Sequence, residues 1–166
     1  MPTLISWRGG HAAQVEDPFT AVADDQEIPP GDVIISLTRF QNEGERLLSE
    51  CRKVGVRVDS HESVEDLAYD LPRIAVIALA FPKFRDGRAY TSARLLRERF
   101  GYKDEIRAVG DVLLEQALFM VRCGIDAFEP ADQSTPEQWD RAAHRFRHVY
   151  QRAADGLVPA FEERQS

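Results

Sequence analysis

At 166 residues the chain has the length of one domain and is long enough to bury a core without disulfide or metal staples. It is 43% hydrophobic and 30% charged, as soluble globular proteins are, and its formal charge of -7 argues against non-specific binding to nucleic acid or anionic membranes. No apolar run approaches the roughly 20 residues that span a bilayer, the N-terminus does not read as a signal peptide, and the two cysteines stand far apart, so a cytoplasmic protein with reduced thiols is expected.

Residues 1–31 differ from the rest and read as an acidic N-terminal arm or small hairpin packed on the main domain. LISW and DPFTAV are its candidate strands, Trp7 is its anchor, and ADDQEIPPGD ends it in a turn. From residue 32 a regular alternation begins. VIISL (33–37) reads as a buried strand. The helix after it carries Phe40, Leu47, Leu48 and Cys51 on one side and is expected to end at Gly55. VRV (56–58) is a second strand. DSHESVEDLAYDL reads as a helix capped by Ser63, with Val64, Leu67, Ala68 and Leu71 inward, and Pro72 stops it.

IAVIALAF (74–81) is the most continuous apolar run and should be the central strand. A helix over 88–100 follows, lined by Ala89, Ala93, Leu96 and Phe100. IRAVG (106–110) is a strand, a helix over 113–122 closes on Cys123-Gly124, and AFE (127–129) is a fifth strand. The last helix starts at Thr135-Pro136 and is expected to reach residue 154, with Trp139, Ala142, Ala143, Phe146 and Tyr150 inward; 155–166 form a tail. Residues 32–154 thus form one α/β domain with a mainly parallel sheet of about five strands and crossover helices. An open doubly wound sheet is the preferred architecture, and half of a (β/α) barrel is the alternative.

In such folds ligands bind at the carboxyl ends of the strands. That places Asp59, Ser60 and His61 after the second strand, the cation-rich FPKFRDGRAYTSARLLRERFG (81–101) after the third, Asp111 after the fourth and Glu129 after the fifth. Lys83, Arg85, Asp86, Gly87, Arg88, Ser92, Arg107 and Asp111 are the candidate anion-binding residues. Guanidinium forks suit oxyanions, glycine permits close backbone approach, and a helix start offers free N–H groups. A structural network is the competing reading. In it Asp86 caps the helix, while Arg85, Arg88 and Arg107 pair with Asp111, Glu129 or Asp59. Arg94 and Glu98 form a helical i,i+4 pair, and Arg97 and Arg99 are expected to face solvent.

Other motifs carry less. Asp140, His144 and His148 share a helical face at a spacing that can bind zinc, but their neighbours are those of a basic surface helix, and no metal is expected. His61 has no obvious partner for general-base work. Cys123 reads as a small buried residue and Cys51 as inert. The chain has no dinucleotide-binding loop, phosphate-binding loop or nucleophile elbow. No cofactor is expected, and no catalytic residue can be named.

Two blocks, FPKFRDGRAYTSARLLRER (81–99) and EIRAVGDVLLEQALFMVRCGIDAF (105–128), resemble the signature of a family of short bacterial proteins of unknown function. That family is labelled an oxidoreductase of sulfite reduction and is encoded beside the sulfite/nitrite reductase haemoprotein. Its pattern falls on Phe84, Asp86, Gly87, Arg88, Tyr90 and Ala93 to Arg97. It resumes at Glu105, Arg107, Ala108, Gly110, Asp111, Val112 and Gln116, and ends on Arg122, Cys123, Gly124, Asp126 and Phe128. Thr91, Leu114-Glu115 and Ile125 depart from it. The resemblance implies an accessory protein of assimilatory sulfite reduction, with the haemoprotein as partner and a small oxyanion as ligand. An enzyme acting on an oxyanion or sulfur metabolite and a ligand-free interaction domain are the alternatives. Two cysteines cannot hold a four-cysteine iron–sulfur cluster, so the chain is not expected to reduce sulfite unaided.

Overall fold

The structure is a computed structural model that describes residues 3–164. Its elements in chain order are β1 (Leu4–Ser6), β2 (Ala13–Val15), β3 (Thr20–Ala21), β4 (Val33–Ser36), α1 (Leu37–Ser49), β5 (Val54–Val58), β6 (Val76–Phe81), α2 (Arg88–Arg94), β7 (Glu105–Gly110), α3 (Ala117–Arg122), β8 (Ala127–Phe128), α4 (Pro136–Ala143) and α5 (Ala160–Glu163). All eight strands form one curled mixed sheet in the order β2-β1-β8-β7-β6-β5-β4-β3. From β3 to β8 each strand lies parallel to the next, while β1 pairs antiparallel with both β2 and β8.

The strand order corrects the preferred architecture. A doubly wound sheet reverses direction at a switch point, whereas here β3 to β8 follow one another without reversal. Right-handed crossovers between strands in sequential order all land on one face, and the sheet is accordingly a half-barrel. Phe40 and Leu47 of α1, Ala89 and Ala93 of α2, Met120 of α3 and Trp139 of α4 share a single core with Ile77, Leu79 and Phe81. The expected count of about five strands was short because the N-terminal segment supplies three more. It runs from one sheet edge, where β1 joins β8, to the other, where β3 joins β4.

Between those edges the chain crosses the face opposite the helices. Phe19 packs there against Ile34, Val76 and Ala78. Arg107 stands in register with Ala78 and so points to the same face. It is 1% exposed. Its guanidinium donates to Asp17 at 2.7 Å, Glu105 at 2.8 Å and Glu129 at 3.0 Å, and lies 6.0 Å from the Phe19 ring centre. Burying a cation is costly unless it is paired and hydrogen-bonded, so this cluster fixes the path of the N-terminal segment.

Four local expectations change. Helix α1 ends at Ser49; Cys51 lies beyond it, exposed, with a left-handed φ of 59°. Gly55 is instead in β5, where an added Cβ would meet the Ile34 side chain at 2.8 Å. The Ser63 segment forms two short 3-10 turns, Val64–Leu67 and Leu71–Arg73, which bury Val64, Leu67 and Leu71. A stretch this short, containing Pro72, makes too few i→i+4 bonds to offset helix nucleation. Helix α2 widens into a π-helical turn at Leu95–Arg99. Helix α4 stops at Ala143, and Phe146 and Tyr150 are 60% and 92% exposed. Only its first two turns rest on α3 and the β2 edge, so the apolar pattern beyond them has no core to face.

Candidate functional site

The β6–α2 loop is shaped from behind by β7. Gly110 has a φ of 95°, and a Cβ there would lie 2.5 Å from the Phe81 carbonyl oxygen, so only glycine fits without displacing the neighbouring strand. The turn places the Asp111 carboxylate under the loop, where it accepts from the Phe84 N–H at 2.8 Å. The Gln116 amide donates to the Phe84 carbonyl at 3.5 Å. Tyr90 packs edge-on against both Phe81 and Phe119, with ring centres 5.1 and 4.6 Å away. The two sequence blocks therefore form one unit: the second holds the loop that the first supplies.

That loop opens into a groove of about 890 Å³ between α2 and α3, with residues 145–153 as its third wall. Its cations are Arg85, Arg94, Arg122, Arg145 and Arg152, with His148 beside them, against the single carboxylate Glu115. Most of these cations are already engaged. Arg94 pairs with Glu98 at 3.0 Å, Arg122 with Asp155 at 2.7 Å, Arg152 with Glu162, and His148 with Glu163 at 2.8 Å. Arg85 and Arg145 have no carboxylate partner among the described residues; Arg145 lies 5.6 Å from the Phe146 ring centre. Phe84, Phe119 and Phe146, each at least 50% exposed, give the groove its aromatic walls. Burial pushes the Tyr90 hydroxyl up to about 12, so it stays neutral at physiological pH. Burial also pushes the Cys123 thiol upward, which leaves it a weak nucleophile.

The expected anion-binding residues are divided by the structure. Arg85 and Gly87 line the groove. Arg88 turns away: it holds Asp86 at 2.7 Å and donates to Ser60 Oγ at 3.0 Å. Asp86 also accepts from the Arg88 N–H, but the cap position of α2 belongs to Gly87, without a capping side chain, and the guanidinium holds the Asp86 carboxyl below the usual carboxylate range. Asp111 serves the loop backbone. Arg107 lies on the opposite face of the sheet with its carboxylates; Glu129 is the one foreseen partner it meets. Lys83 is exposed on the loop, and Ser92 is half-buried in α2. Arg97, expected in solvent, is instead a clasp. It donates to the carbonyls of Gly124, Tyr102 and Asp104 and lies 3.3 Å from Asp126. Its place one turn before the chain reverses toward β7 explains this. Arg99 does reach the surface and pairs with Glu65.

The sequence reading missed Arg145, Phe146 and Arg152. Their interleaving of cations and aromatics in RFRHVYQR was the available signal, but it was assigned to a helix that ends earlier. The zinc spacing fails for the same reason. His144 and Asp140 stay together at 3.5 Å, while His148 leaves to Glu163. His61 is exposed on the turn after β5. No helix among the described residues is long and apolar enough to cross a membrane.

A model of bacterial proteins of unknown function, DUF934, matches residues 55–161. This span includes every residue that lines the groove. Comparisons with curated proteins and with solved structures give no match.

Proposed function

The chain belongs to the DUF934 family of bacterial proteins of unknown function, and from that premise we propose that it is an accessory protein of assimilatory sulfite reduction that supports the reductase haemoprotein and binds an anion in the groove. The observation that carries the anion site is the pair Arg85 and Arg145, two guanidiniums without carboxylate partners among the described residues, beside one cavity. Guanidinium offers planar two-point hydrogen bonding to a sulfur or phosphorus oxyanion. The other arginines of the groove are neutralised by their carboxylate partners, so the attraction for an anion rests on Arg85 and Arg145. The link to sulfite reduction rests on the resemblance of the two blocks. In this role the chain's own residues bind and orient; Tyr90 and Cys123, both held neutral, are poorly suited to attack or proton abstraction.

The test is affinity purification of the tagged protein, at native salt, from cells grown on sulfate. Recovery of the haemoprotein with wild type, reduced by Arg85→Ala with Arg145→Ala, supports the reading. A tagged protein that never carries the haemoprotein counts against it.

A further inference from the structure

We infer that the groove selects a flat heteroaromatic ring bearing a phosphate-type anion, as a nucleotide does, over a bare oxyanion. This deepens the anion-site reading and rests on it. A site for sulfate or sulfite alone needs donors and little else; it gains nothing from apolar walls. Here Phe84, Phe119 and Phe146 are 50%, 58% and 60% exposed and all border the same cavity as Arg85 and Arg145, which have no carboxylate partner among the described residues. Tyr90 packs edge-on with the Phe119 ring at a centroid distance of 4.6 Å, and Phe119 still keeps more than half of its surface exposed. Large aromatic surface left in water is unfavourable. Aromatic faces bind flat rings by stacking, and arginine both stacks on rings and clamps phosphate.

The cavity, at about 890 Å³, falls in the range of roughly 300–1,000 Å³ typical of sites for drug-sized ligands. That is far more room than a tetrahedral oxyanion fills. The arrangement thus divides the work. Arg85 and Arg145 take the charge, and the three phenylalanines take the ring. Glu115, the one carboxylate on the wall, disfavours ligands with several anionic groups and matches a ring that carries hydrogen-bond donors.

The experiment is calorimetric titration of the full chain with AMP, flavin mononucleotide, adenosine and inorganic phosphate. AMP and flavin mononucleotide present rings of different size with the same phosphate. At least one of them is expected to bind ten times tighter or more than adenosine or phosphate. Phe119→Ala and Arg145→Ala should each weaken it at least fivefold, with Lys103→Ala, an exposed cation outside the groove, unchanged as the control. Both side chains are surface groups, and unchanged thermal unfolding will show that the variants fold. If phosphate binds as tightly as either nucleotide, the ring preference is overturned and the anion site stands. If no anion binds, both are overturned. A groove whose variants lose the haemoprotein while binding none of the four ligands is a protein-docking face, which also overturns the inference.

Discussion

The Asp111 carboxylate accepts a hydrogen bond from the Phe84 backbone N–H at 2.8 Å across 27 positions of sequence. This contact ties the end of β7 to the loop leaving β6, and so sets where Arg85 enters the groove. Asp111→Ala is expected to cost about 1.5–3 kcal/mol, the value of a hydrogen bond to a charged group, and to weaken anion binding although Asp111 does not line the groove. Chemical denaturation and phosphate titration of one variant measure both. Unchanged affinity would separate the loop from the site.

Arg107 and Arg85 should behave in opposite ways. Arg107→Ala leaves Asp17, Glu105 and Glu129 facing one another on a covered sheet face. Its loss is expected to cost about 3–5 kcal/mol and to raise hydrogen exchange at residues 16–19. Arg85→Ala should stay within about 0.5 kcal/mol of wild type, as surface changes do. A large stability loss for Arg85→Ala would mean that it braces the fold.

The tyrosines give a pH signature. Burial moves the Tyr90 hydroxyl up to about 12 and Tyr102 upward as well, against about 10 for a free tyrosine. The neutral form is the one favoured in the fold. The stabilisation is therefore fully present below pH ~10 and is lost as pH rises through about 12. Ultraviolet titration should show late-ionising tyrosines, and Tyr90→Phe should remove the step near pH 12.

Cys51 lies in the left-handed region at φ 59° with its side chain exposed. Cys51→Gly should raise stability by about 1 kcal/mol by relieving that backbone. A thiol reagent should modify one cysteine at once and the buried Cys123 only on unfolding; equal rates for both would contradict its burial.

Much of this was legible in the sequence, and the losses have physical reasons. Strands β4 to β7 were marked by runs containing β-branched residues and β8 only by the short AFE, and Thr135 caps α4, accepting from the Gln138 N–H. In the N-terminal segment LISW and DPFTAV contain β1 and β3 as expected, while β2, three exposed residues without alternation, gave no signal. Strand order was not encoded in periodicity, which is the same for a half-barrel and a doubly wound sheet. Strand-end position singled out Arg85 and Gly87, and both line the groove. Arg107 and Arg88 went to bracing because carboxylates lie nearer to them than any cavity, and sequence spacing does not reveal three-dimensional neighbours such as Asp17. The far wall of the groove was hidden by a helical pattern that continues past Ala143, where the helix loses its support.

Growth of a deletion strain on sulfate as sole sulfur source tests the central claim most directly. The strain should grow poorly on sulfate and normally on sulfide. The wild-type gene should restore growth on sulfate, and a copy carrying Arg85→Ala and Arg145→Ala should not. Normal growth of the deletion strain on sulfate would contradict a role in sulfite reduction.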